Sequence, residues 1–166
     1  MLFFKSPPKT KFLMVCMANV CRSPMAQMVT VQLAEQAGLA RDIRVDSAGT
    51  HVGSLSARAD PRAQAQLAQR GYPPAKSRSR QIKAKDFAYY DLVLALDQSN
   101  LNELRQLCPP EHTHKLRLFL EYAEGVTERD VPDPYYGNAQ GFGHVMDLCE
   151  AGARGLIKSY QAFARQ

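Results

Sequence analysis

Short strands alternating with helices constrain this chain most. Residues 12–16, 43–48, 92–96 and 115–120 are apolar runs of strand length, and helical patterns lie between and after them. After the first run, residues 24–39 read as a helix, with Met25, Val29, Leu33 and Ala37 four apart on one face. Ser23 can cap that helix, and Pro24 suits its first turn. Asp60-Pro61 opens a second helix that stops at Gly71. Asp97 or Ser99 can cap a third, which ends at Cys108-Pro109-Pro110. Glycine-rich turns around Gly137, Gly141 and Gly143 precede a final helix to about residue 164. This order predicts an α/β fold, with a parallel sheet flanked by helices on both faces. Ligands in such sheets bind beyond the carboxyl ends of the strands, where Cys16 falls.

At 166 residues the chain suits a single domain that folds without disulfides or metals. Residues 1–10, interrupted by Pro7-Pro8, read as a flexible N-terminal tail, and residues 11–166 as the domain. The four cysteines, Cys16, Cys21, Cys108 and Cys149, form no Cys-x-x-Cys pair and no zinc spacing. They read as thiols kept reduced, which points to a cytoplasmic protein. The apolar patch near the N-terminus is too short for a signal peptide. No window approaches the roughly 18 apolar residues of a membrane helix, so no membrane association is expected.

Charge is concentrated. Residues 58–85 hold eight Lys/Arg against one acid, Asp60, a net of +7 in a chain whose total is +5. Such a stretch is either a surface that attracts anions or a solvated helix face and loop. No aromatic residues interleave the core of the run, which weakens the case for a single-stranded nucleic-acid platform.

The chemistry lies in Val15-Cys16-Met17-Ala18-Asn19-Val20-Cys21-Arg22-Ser23-Pro24. Five residues between a cysteine and an arginine, set between strand and helix, can wrap their N–H groups around one anion. The helix adds its positive N-terminal end. Arg22 offers a fork that matches two phosphate oxygens. A cysteine at the base of that ring should be ionised at neutral pH and can attack phosphorus in line. Ser23 can donate to Cys16 and help it leave. Asn19 tolerates the left-handed backbone that a tight ring requires. Read alone, Cys-x5-Arg also fits a buried apolar cysteine ending a strand. A second segment, Val131-Pro132-Asp133-Pro134-Tyr135-Tyr136-Gly137, holds Asp133 between prolines, beside two tyrosines that can wall a flat aromatic substrate. Asp133 is a candidate acid for the leaving oxygen, although Asp-Pro also marks ordinary turns.

Together these segments resemble the low-molecular-weight protein tyrosine phosphatases. Arg44-Val45-Asp46-Ser47-Ala48-Gly49-Thr50, Arg80-Gln81-Ile82 and Asp97-Gln98-Ser99-Asn100-Leu101 fall in the family's order, and the likeness covers about residues 11–164. It implies a four-stranded parallel sheet with the phosphate-binding loop after the first strand. It implies Cys16 as nucleophile, Arg22 as phosphate clamp and Asp133 as general acid, then base. Met17, Ala18, Asn19, Val20, Cys21 and Ser23 form the loop, and Ser47 holds Asn19 in shape. The resemblance also implies that no metal and no cofactor is used and that the substrate is a tyrosine-phosphorylated protein. It brings in as a partner a tyrosine kinase of polysaccharide export, which bacterial relatives often oppose. A monomer or weak dimer fits this reading. Cys21 is either a partner that traps oxidised Cys16 as a disulfide or a small apolar packer.

Three positions depart from the family pattern. Ala18 replaces a usual glycine, Ser77 replaces a histidine near the loop, and Gly53 stands where an aromatic residue lines the pocket mouth. A thioredoxin-coupled arsenate reductase on this scaffold would need two further cysteines near the third strand, and residues 85–100 contain none. A protein arginine phosphatase would carry threonine at Val20 and lack the tyrosine pair. A non-catalytic phosphate-binding module is disfavoured because all the proposed catalytic groups are present.

Overall fold

The computed structural model describes residues 8–166. Its sheet has four parallel strands in the order β2-β1-β3-β4: β1 Thr10–Cys16, β2 Ile43–Gly49, β3 Leu92–Ala95 and β4 Leu116–Leu118. Alternation along β1 divides the core. Phe12, Met14 and Cys16 face one layer with Leu94, Met25 and Val145, whereas Leu13 and Val15 face the other with Phe87, Val93 and Leu104. The first layer is covered by α1 (Arg22–Gln36), α2 (Pro61–Gln69) and α5 (Ala139–Ala164), the second by α3 (Ala84–Tyr89) and α4 (Gln98–Leu107). Burial on both faces is why these strands are continuous apolar runs. The parallel sheet with helices on both faces is therefore as expected.

Several local expectations need correction. Helix α1 begins at Arg22, not at residue 24, so Ser23 lies in its first turn and does not cap it. The buried face runs through Met25, Ala26, Val29, Thr30 and Ala34, while Leu33 is half-buried and Ala37 exposed beyond the end. Strict four-residue spacing drifts around a 3.6-residue helix, and that drift carries Ala37 off the core side. Asp60 caps α2 by accepting from Arg62 N at 2.8 Å, and Gly71 follows its end at φ 78°, both as expected. Asp97, not Ser99, caps α4. The fourth strand is shorter than expected, because Lys115 belongs to one 3-10 turn and Phe119–Tyr122 forms another. Gly141 and Gly143 are inside α5, whose cap is Asn138. Two other glycines of α5 serve close packing: a Cβ on Gly152 would strike the Phe119 ring, and one on Gly155 the Tyr122 carbonyl. Residues 1–7 of the expected tail lie outside the described residues, and Thr10, its last residue, already pairs with Ile43 in the sheet. No described helix is long and apolar enough to cross a membrane.

Candidate active site

Between Cys16, the last residue of β1, and Arg22, the first of α1, five residues reverse the chain. Asn19 makes this possible with φ 58°, the only positive φ among the described non-glycine residues. Ala18 stays out of that region, so its methyl group costs no backbone strain. Neighbours hang the loop from outside: Thr50 N donates to Cys16 O at 2.9 Å, His51 N to Met17 O at 2.8 Å, and Asp60 N to Val20 O at 2.8 Å. Gly49 lets the next strand come this close, since a Cβ there would sit 2.5 Å from Met17 O and 3.1 Å from Asn19 N. The N–H groups of residues 17–22 donate to no acceptor among the described residues. A run of adjacent unpartnered amides is a site for an anion, which alone can accept from several at once.

Side chains lock the loop beneath. Asn19 Nδ2 donates to Ser47 Oγ at 2.9 Å and to Ser23 Oγ at 2.8 Å, and its Oδ1 accepts from Arg80 N at 3.0 Å. Ser47 in turn donates to Gln27 Oε1 at 2.8 Å. Asn19 therefore occupies the supporting position expected for it, with Ser47 beside it. Ser77 is exposed and takes no part in this network. Ser23 Oγ lies 3.0 Å from Cys16 Sγ and 3.3 Å from Ala48 O. Its single proton is free for one of these acceptors, and the sulfur is the nearer.

Arg22 is buried, and Nη1 reaches Asp97 Oδ2 at 2.5 Å and Val131 O at 3.1 Å, while Nη2 stands 3.5 Å from Asp133 Oδ2. Burial opposes its charge, but Cys16 and the carboxylates of Asp97 and Asp133 outweigh that cost and raise its pKa above the ordinary guanidinium value. One end of the fork is thus fixed and the other remains near the cavity. Asp133 is part-exposed and held in an Asx turn, with Oδ1 accepting from Tyr135 N at 3.0 Å. Burial, then Asp60 and Cys16, push the Cys21 thiol up to about 12.

These groups border one cavity of about 360 Å³, with Cys16, Cys21 and Arg22 at its base and Asp133, Tyr135 and Tyr136 on its wall. The tyrosine rings meet edge to face at 5.0 Å. Val52, Gly53 and Leu55 also line the cavity, and Leu55 is 85% exposed. A Cβ on Gly53 would meet nothing within 4 Å, so that side is open.

Four contributors escaped the sequence reading. Asp97 was read as a cap and as part of a family segment but given no part in the site, yet its second oxygen anchors Arg22. The main chain of Arg80 holds Asn19, Gln27 holds Ser47, and Gly49 makes room for the loop. All four act across the fold rather than along the chain.

The sequence model of the low molecular weight phosphotyrosine protein phosphatases matches residues 11–165. A protein of Synechocystis carrying that family's name is 42% identical over 153 residues, covering 90% of this chain and 95% of its own. The crystal structure of a protein tyrosine phosphatase from Entamoeba histolytica superposes with a TM-score of 0.89 at 33% identity, covering 93% and 99% of the two chains. An arginine phosphatase from Bacillus subtilis shares the fold at a TM-score of 0.81 and 27% identity, covering 92% and 96%.

Proposed function

The chain belongs to the low molecular weight phosphotyrosine protein phosphatase family, and from that premise we propose how its residues divide the work on a phosphotyrosine substrate. The carrying observation is the run of unpartnered N–H groups at residues 17–22, with Cys16 Sγ at its base and Arg22 at its end. The phosphate oxygens take those amides and the free end of Arg22, which places phosphorus over sulfur. Cys16 attacks as a thiolate. An S–P bond forms as the P–O bond to tyrosine breaks, and Asp133 gives its proton to the departing phenolate. Water then attacks phosphorus, Asp133 takes a proton back, and the electron pair returns to sulfur. The Ser23 hydroxyl, 3.0 Å away, stabilises that returning charge. Asn19, held by Ser47, keeps the ring in shape. Val20 and the Tyr135–Tyr136 pair favour this reading over arginine dephosphorylation. The test is phosphate release from a phosphotyrosine peptide, present in the wild type and absent in Cys16→Ser.

Gly53 belongs to the substrate pocket by what it lacks. Tyr135 and Tyr136 cover one side of a bound phenyl ring, and the opposite side stays in water. In Gly53→Trp an added aromatic contact of about 0.5–1.5 kcal/mol lowers KM for aryl phosphates roughly three- to tenfold. kcat should hold steady, because the ring is gripped alike in ground and transition states. An unchanged or higher KM in Gly53→Trp, with a raised KM in Leu55→Ala or His51→Ala, would show that the wall is already closed.

Cys21 is proposed as a guard of Cys16. Both thiols are buried and border the same cavity. Peroxide converts Cys16 to a sulfenic acid, and Cys21 displaces water from it to leave a disulfide. The high pKa of Cys21 slows this capture near neutrality, so disulfide yield should rise with pH. Activity should return with a thiol reductant. Mass spectra showing Cys16 only as sulfinic or sulfonic acid would remove Cys21 from the role.

A further inference from the structure

A second groove opens beside the active-site cavity, and the two share Val52, Gly53 and Ser79. It is the larger, about 880 Å³ against about 360 Å³. Its lining includes Arg80 and, at the start of α3, Lys83, Lys85 and Asp86. Asp86, the one acid in the lining, is buried and fully engaged. It accepts from Arg80 Nη1 at 2.9 Å, from Arg80 Nη2 at 3.2 Å and from Lys83 N at 2.7 Å. Lys83 and Lys85 are exposed, and among the described residues neither has a carboxylate within 4 Å. The groove therefore carries a net positive charge with two uncommitted ammonium groups. Ser54 and Ser56 add neutral lining.

Among the described residues, three of the eight Lys/Arg of the basic stretch are held in ion pairs. Arg62 pairs with Asp60, Arg70 with Asp147 and Glu150, and Arg80 with Asp86. Of the others, Arg58, Lys76 and Arg78 line a separate cavity of about 390 Å³, whereas Lys83 and Lys85 line the groove that borders the catalytic cavity. A single-stranded nucleic acid fits poorly. The Tyr89 ring is already covered by Lys11 Nζ at 4.3 Å, and the buried Tyr90 donates to Asp46 at 2.6 Å, so no free stacking face remains here.

We propose that this groove receives acidic residues next to the phosphotyrosine of a protein substrate, and that Lys83 and Lys85 set a preference for acidic flanks. The inference rests on the phosphatase reading, because continuity with that site is what gives the groove its occupant. Lys83 and Lys85 take no part in the catalytic step, so hydrolysis of para-nitrophenyl phosphate, which has no flanks, stays unchanged when both become Gln.

The experiment compares two phosphotyrosine peptides of one length, one with three glutamates on each side and one with glutamines there. For the wild type at low salt, kcat/KM should favour the acidic peptide roughly five- to tenfold, the scale of two exposed charge pairs. The preference should shrink in 0.5 M salt and fall below about twofold in Lys83→Gln/Lys85→Gln. Equal rates for both peptides in the wild type, or a preference that survives in the double variant, would overturn the proposal. Fluorescence anisotropy of the labelled peptides with Cys16→Ser protein reads the groove without turnover. Tighter binding of the acidic peptide that depends on Lys83 and Lys85, together with a wild type that hydrolyses neither peptide, would uphold the groove and overturn the catalytic assignment. Equal binding would overturn the groove alone.

Discussion

Cys16→Ser should lower kcat by roughly four to six orders of magnitude while phosphate or vanadate still binds. The substitution removes the atom that forms the covalent bond and leaves the rest of the site. The amides of residues 17–22, Asn19 and Arg22 depend on the main chain and on Ser47, Arg80 and Asp97, none of which touches the sulfur, and Ser23, which does, keeps its bond from Asn19. A serine hydroxyl, with a pKa far above that of a thiol, has no general base beside it here. Its neighbour Ser23 Oγ already accepts from Asn19. Binding of the inorganic anion measured by calorimetry should change by less than about tenfold. Retained hydrolysis above about one-hundredth of the wild-type rate would sink the assignment of the nucleophile.

Asp133→Asn should separate substrates by their leaving groups. A phenolate of high pKa departs only with a proton, whereas an activated nitrophenolate departs almost unaided. kcat/KM covers events through P–O cleavage, so it isolates the acid step. It should fall about 10²- to 10³-fold for phenyl phosphates of high pKa and less than about tenfold for the most activated esters. kcat should fall for all of them, because hydrolysis of the thiophosphate needs Asp133 as base. Part-exposure and an Asx turn keep this side chain in place without burying it. Removing the carboxylate also frees Arg22 Nη2 from its 3.5 Å neighbour, so phosphate affinity should rise slightly if it changes. Equal losses in kcat/KM across the leaving-group series would take the acid role from Asp133.

Local chemistry was legible in the sequence, and long-range support was not. Cys16, Asn19 and Arg22 lie within seven consecutive residues, where spacing, a preference for positive φ and helix position act on one another directly. Asp60-Pro61 and Gly71 marked the ends of α2 for the same local reason. Asp97 looked like a cap and is one, but only the fold reveals that its other oxygen holds an arginine 75 residues away. Arg80 acts on Asn19 through its main-chain N–H, which no side-chain pattern advertises. The six residues of α3 are too few for a helical period to emerge, and the cue that remains is Asp86 accepting from Lys83 N at its start. Gly141 and Gly143 were misread because glycine favours turns, yet here both lie inside α5 with no neighbour closer than 3.9 Å to a Cβ, where the long helix carries them.

The central claim is that phosphate passes through a covalent bond to one sulfur. The direct measurement is peptide mass spectrometry on enzyme quenched during turnover of a phosphotyrosine peptide. The account predicts the mass of one phosphoryl group on the peptide containing Cys16, absent from Cys16→Ser and more abundant in Asp133→Asn, where its hydrolysis is slow. Steady turnover by an enzyme that carries no phosphoryl group on Cys16 at any quench time, in the wild type or in Asp133→Asn, would contradict it.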